Sequence, residues 1–205
     1  MKTNRIHFYS GITLTVFIGF HLFNHFMSIW GTRIHIELMN NFRMIYRDPI
    51  IETFLLMAVV SQIITGTKLF FSAKRQSNGF YRSLQIWTGL YLAVFLLIHV
   101  SIVLIGRYYL QLDTNIYFGV AGLNTFPFNI FFIPYYSLAI FSFFGHLSAI
   151  HYQKIKRSVF GLSTRTQSNI ILTVGVILSI TIIYGLTNGF SGIDIPQEYN
   201  ILLGE

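Results

Sequence analysis

From Tyr9 to Trp30 the chain reads YSGITLTVFIGFHLFNHFMSIW, with no Asp, Glu, Lys or Arg. An apolar helix of that length crosses the roughly 30 Å hydrocarbon core of a bilayer at about 1.5 Å per residue. Four more runs of similar length follow. The expected spans are therefore 8–30, 50–72, 85–106, 130–152 and 168–187. The expected fold is an all-α integral membrane protein, a single membrane domain over residues 1–205 built as a five-transmembrane-helix bundle.

Composition excludes other classes. Hydrophobic residues make up 53% of the chain and charged residues only 10%, outside the range of soluble globular domains. Without cysteine there is no disulfide, no CxxC redox pair and no iron–sulfur cluster held by Cys in this chain. The first apolar run exceeds a signal-peptide core and lacks a small-residue cleavage site, so it is expected to be retained.

The net charge of +7 would suggest nucleic acid in a soluble protein, but its distribution points to a membrane. Lys2, Arg5, Lys68, Lys74, Arg75, Arg82, Lys154, Lys156, Arg157 and Arg165 fall on one side of a five-span topology, with no acidic residue. The other side carries Arg33, Arg43, Arg47 and Arg107 with all 7 acids. By the positive-inside rule the N-terminus is cytoplasmic and the C-terminus outside. The expected location is a bacterial cytoplasmic (inner) membrane, with the lipid bilayer as a partner and no nucleic acid. Trp30 and Trp87 fall near helix edges, as interfacial aromatics do.

Between the first two spans, Ile34, Leu38, Phe42 and Ile45 recur at helical spacing. They predict an interfacial amphipathic helix over about 32–47, its pattern ended by Pro49. The second connection is basic, with Asn78-Gly79 as a turn. The third, from Arg107 to Asn129, is long and aromatic, as a lid packed on the bundle would be. The fourth is basic, and the tail after Asn188 is polar and acidic, with Pro196 against a continued helix.

Ionisable residues inside a span are costly and mark function by default. His21 and His25 lie at i and i+4 on one helical face. His21 stands roughly 13 Å short of the outer end of its span, and His99 roughly 10 Å short of its own, so the two share a level. Two imidazoles at one depth on different helices suit a bis-histidine haem b, with the porphyrin between helices. Arg107, two turns beyond His99, could meet the haem propionates, with Arg33 and Arg43 as alternatives. His146 lies nearer the cytoplasmic side, with Gln62 the polar residue closest to it in depth and His151 at the inner edge. His7 and His35 are expected to be solvated or interfacial.

These residues resemble the cytochrome b, or membrane-anchor, subunit of succinate dehydrogenase and fumarate reductase. The resemblance rests on SGITLTVFIGFHLFNH, LLIHV around His99, and FFGHLSAIH around His146. It implies that His21 and His99 are axial ligands of an outer haem b and that His146 is one ligand of an inner haem. Gln62-Ile63-Ile64-Thr65-Gly66 stands where the family has His followed four residues later by Gly, so one haem is expected rather than two. His25 occupies a place where Asn is common in the family, and His151 could substitute as an inner ligand. The resemblance further implies a quinone site near the cytoplasmic face, with Arg5 and Ser10 loosely placed for it. Cytoplasmic iron–sulfur and flavoprotein subunits would be partners. The chain would carry electrons between them and quinone without being catalytic alone.

Two other readings stand beside this one. His21–His25 is an HxxxH pair of the kind membrane di-iron oxygenases use, but the histidines are spread across the membrane with no mid-span carboxylate. Alternatively, the chain is a haem-free five-helix membrane protein with a transport, assembly or structural role. Its intramembrane His21, His25, Ser61, Gln62, His99, Ser142 and His146 would then tie helices together or line a cavity.

Overall fold

In the computed structural model, residues 2–73 and 79–204 are described. Five helices are long and apolar enough to cross a membrane. They are α1 (Lys2–Phe26, continued by the 3₁₀ turn Met27–Trp30), α3 (Pro49–Ala73), α4 (Phe80–Tyr108), α6 (Asn129–Lys154) and α7 (Thr164–Leu186). Two shorter helices, α2 (Thr32–Tyr46) and α5 (Ile116–Asn124), lie in the connections, and a 3₁₀ segment runs over Gln197–Leu203. No strand occurs among the described residues beyond one isolated bridge, Val159 to Leu162. Lys74, Arg75, Asn78 and Glu205, used above in reading charge and turns, lie outside the described residues.

The helices extend past the expected apolar limits because their polar ends continue the same backbone hydrogen bonding. Caps set several boundaries. Asp48 accepts from the backbone of Ile50 and Ile51, at 3.0 and 3.2 Å, and Pro49 opens α3. Pro49 thus starts a helix rather than only ending one, as its missing N–H allows at a first helical position. Asn115 caps α5 through the Tyr117 N–H at 2.9 Å, and Ser163 caps α7 through the Thr166 N–H at 3.2 Å.

The spanning helices form a closed circuit. Each packs on the next in chain order, α1 on α3, α3 on α4, α4 on α6 and α6 on α7, and α7 returns to α1. Helices α1 and α4 therefore face each other across the middle. The polarity is that of a protein dissolved in lipid. Val16, Phe20, Phe54, Val60, Leu97, Ile102, Ile177 and Ile180 point outward, whereas Thr65, Thr88, Ser142, Ser148, Ser168 and Ser179 are buried. The buried hydroxyls tie helices together: Ser148 Oγ donates to the Ser168 carbonyl at 2.7 Å.

At the end of the bundle away from the N-terminus, here the distal end, α5 seats Ile116, Val120 and Leu123 against Leu22, Ile140, Ile182 and Leu186. This is the lid expected from the aromatic third connection. The tail contributes too. Tyr199 is fully buried, and its hydroxyl donates to the Asp113 carbonyl at 3.0 Å. A polar composition concealed that anchor.

Candidate functional site

Four histidines gather in the distal half. On α1 the spacing of 17, 21 and 25 places Phe17, His21 and His25 one above another on the inward face. His21 stacks on Phe17, with ring centres 5.8 Å apart. Its Nε2 lies 3.1 Å from His25 Nε2. His25 Nδ1 in turn lies 3.2 Å from His35 Nε2, and Asn24 Nδ2 lies 3.1 Å from that same nitrogen. His35 is only 1% exposed. It was expected at the surface, and the structure corrects this: α2 turns His35, Met39, Phe42 and Tyr46 toward the bundle, and leaves Ile34 and Ile45 exposed. Burial lowers the His35 pKa to about 4, with the nearby charges of His21 and Arg43 adding to the effect.

Opposite, α4 supplies His99. Its ring stacks on Phe95 at 5.0 Å and meets Tyr136 of α6 edge-on at 6.2 Å. Among the described residues no hydrogen bond reaches a His99 nitrogen. The His21 and His99 ring centres are 6.2 Å apart, their planes inclined at 67°. A metal–imidazole bond of about 2 Å plus about 1.2 Å from nitrogen to ring centre, taken twice, gives about 6.4 Å across a shared ion. Each ring can rotate about its own metal bond, so the inclination is no obstacle. In spacing, the pair fits the two axial positions of a haem iron. Ligation through His21 Nε2 would exchange His25 for the metal, whereas ligation through Nδ1 would leave that contact intact. Among the described residues no group of three or more His, Asp or Glu is arranged to hold a bare metal ion.

The surroundings are filled. A cavity of about 70 Å³ beside His21 and His25 is lined also by Asn24, His35, Tyr46 and Thr114. That is room for water but small beside the several hundred Å³ of small-molecule pockets. Asn24 Oδ1 and His35 Nδ1 are buried without a partner, and both residues line this cavity.

His146 belongs to a separate polar cluster nearer the N-terminal end. Its Nδ1 donates to the Gln85 carbonyl at 3.1 Å and lies 3.4 Å from Thr88 Oγ1, and the ring rests against Gly89. Gln62 is not its partner: Gln62 Nε2 donates to the His7 carbonyl at 2.6 Å. His7, expected to be solvated, is half-buried, with Nδ1 2.9 Å from Thr65 Oγ1, its ring over Gly66, and within electrostatic range of His146. Its place four residues ahead of Gly11, where Gln62 packs, is the one trace in the sequence that could have located it. His151 is turned away to Gln167, at 2.9 Å.

Arg107 is held by both oxygens of Glu52, at 2.5 and 3.0 Å, across the α3–α4 seam. A carboxylate of the chain itself thus occupies the edge that a propionate would have used. Arg33 is exposed and paired with Glu37. Arg43 reaches Asp113 at 2.8 Å. Arg5 is exposed, and Ser10 returns its hydroxyl to the Ile6 carbonyl at 2.7 Å. No family model matches the sequence, and comparison with curated proteins and with solved structures returns no match.

Proposed function

We propose that the chain is a haem b-binding membrane subunit with His21 and His99 as axial ligands, carrying electrons between a partner redox subunit and quinone. The observation that supports it is the approach of these two rings to 6.2 Å from helices that face each other across the bundle. When bound, haem supplies one-electron chemistry. The chain's own part is to fix two neutral imidazoles at one level and to surround them with aromatic rings. Phe17 and Phe95, stacked on His21 and His99, set the ring orientations. In this reading the N-terminal end, with its basic residues, is cytoplasmic, the membrane is the bacterial inner membrane, and iron–sulfur and flavoprotein subunits dock on the basic face. A second haem at His146 has weaker support, because its facing histidine is His7, already bonded to Thr65. The test is a reduced-minus-oxidised spectrum of the protein purified from a haem-sufficient host, repeated for His21→Ala and His99→Ala.

One observation favours a haem-free protein instead. His21 and His25 satisfy each other, and only about 70 Å³ is open beside them. In that case His21, His25 and His35 are a buried polar network that ties α1 to α2, and the same spectrum shows no Soret band.

A further inference from the structure

The two ends of the bundle are charged differently. At the distal end arginines meet acids: Arg33 pairs with Glu37, Arg43 with Asp113 and Arg107 with Glu52. The N-terminal end has no acid to offer, since the sequence holds no Asp or Glu before Glu37, between Glu52 and Asp113, or between Asp113 and Asp194. Arg82, near the start of α4, stands about 38 Å along that helix from Arg107. A groove of about 670 Å³ opens at this end, between the start of α4, the end of α6 and the start of α7. Arg82 and Arg165 both line it, the first half-buried and the second exposed, and neither forms an ion pair among the described residues. The walls are fixed. Tyr81 stacks on Tyr152, with ring centres 3.9 Å apart and planes inclined at 16°. Its hydroxyl donates to Asn169 Oδ1 at 2.6 Å, which ties α4 to α7. Gln85 Oε1 accepts from Arg82 Nη1 at 2.9 Å and from Gln153 Nε2 at 3.0 Å, which holds the arginine against α6. That bond uses one N–H of a guanidinium group that carries several more.

We propose that this groove binds the headgroup of an anionic phospholipid, with Arg82 and Arg165 on its phosphate. Guanidinium N–H bonds match phosphate oxygens in pairs, and basic pockets between membrane helices suit such headgroups. Three features select the occupant. The groove lies where the ends of three spanning helices meet, the level at which headgroups begin. The face of α7 that carries Arg165 and Asn169 continues at helical spacing as Thr173, Val176 and Ile180, all exposed, so an acyl chain can follow the phosphate into the membrane. No carboxylate lines the groove. The ammonium of a zwitterionic headgroup therefore meets only like charge, whereas a glycerol headgroup meets Asn169, Gln153 and Tyr152 as neutral partners. The site stands apart from the histidines and is independent of haem.

The experiment measures lipid binding to the full-length protein by native mass spectrometry, from detergent carrying phosphatidylglycerol or phosphatidylethanolamine with the same acyl chains. Wild type is compared with Arg82→Gln/Arg165→Gln and with the control Lys156→Gln/Arg157→Gln, which removes the same charge from the same end but outside the groove. Expected is a loss of about tenfold or more in phosphatidylglycerol affinity for the groove variant, the worth of one or two charge-assisted bonds, with wild-type affinity kept in the control. Wild type should bind phosphatidylethanolamine more weakly than phosphatidylglycerol. Equal phosphatidylglycerol affinity in wild type and groove variant overturns the site and leaves the two arginines to an acidic protein surface. Equal losses in groove and control variants overturn it as well, because the general field of the basic end then suffices. Equal affinity of wild type for the two lipids overturns the anionic assignment. Glycerol phosphate binding as tightly as phosphatidylglycerol overturns lipid in favour of a soluble phosphate. Melting of the lipid-free groove variant at the wild-type temperature separates lost binding from lost fold. If the double variant does not fold, Arg165→Gln alone, at an exposed side chain, carries the same test with an expected loss of about fivefold.

Discussion

Gly185 gives a sharp test of the packing that positions the histidine cluster. It lies on α7 where that helix crosses the 3₁₀ turn after α1, and a Cβ built there falls 2.9 Å from the backbone nitrogen of Ile29 and closer still to Ser28 Oγ. Ordinary Cβ contacts begin at 3.4 Å. A backbone atom cannot rotate out of the way, so Gly185→Ala must push α7 and the turn apart by about half an ångström or more. Overpacking of this kind costs about 1–3 kcal/mol, and the better helix propensity of Ala returns up to about 1 kcal/mol. The net expectation is a loss of about 1–2 kcal/mol. Ser28 also donates to the His25 carbonyl at 2.6 Å, so the strain passes directly into the site. Gly19→Ala is the control, because nothing lies within 4 Å of its Cβ and only the propensity gain remains. At about 2–4 °C per kcal/mol for a chain of this size, Gly185→Ala should melt about 2–8 °C below wild type in detergent, and Gly19→Ala at or slightly above it. A Gly185→Ala melt at or above the wild-type temperature would refute the close α7 approach.

The remaining predictions concern charge. The Glu52–Arg107 pair is about four-fifths buried, at 19% and 23% side-chain exposure. Glu52→Gln should cost about 2–3 kcal/mol, below the range for fully buried pairs because solvent reaches part of it, and the double variant with Arg107→Gln should cost less than the sum. Additive losses in thermal melts would show the pair to be uncoupled. His35 has its folded pKa depressed to about 4 from the usual 6.5, so its contribution is complete above pH 6.5 and is lost as pH falls from there toward 4. Between pH 6.5 and 5 this amounts to about 2 kcal/mol, and His35→Gln should flatten the decline in stability by that much. Identical pH profiles for the two proteins would place His35 in water. Tyr199→Phe removes the bond to the Asp113 carbonyl, and should cost about 1 kcal/mol in the same melts without altering any haem spectrum.

The spans were legible because run length alone settles a membrane crossing: only a helix long enough to bridge the core satisfies its own backbone there. Depth arithmetic also put His21 and His99 at one level, and the structure brings those rings together. The facing of α2 was not legible. A helix between bundle and lipid has two apolar neighbours, so Ile34 and Ile45 could be assigned to the core when they face outward and His35 and Met39 are buried. His7 was missed for a related reason, since the polar end of a span can be buried by a neighbouring helix as well as wetted. The tail anchor at Tyr199 rests on a single residue within a polar stretch, too little for any periodicity to show.

The most direct measurement of the central claim is the reduced-minus-oxidised spectrum of wild type beside His21→Ala and His99→Ala, with protein folding checked by melting. The account predicts a b-type Soret and α band in wild type and loss of low-spin haem in either variant. A folded wild-type protein without a Soret band, or haem kept unchanged by both variants, would contradict it.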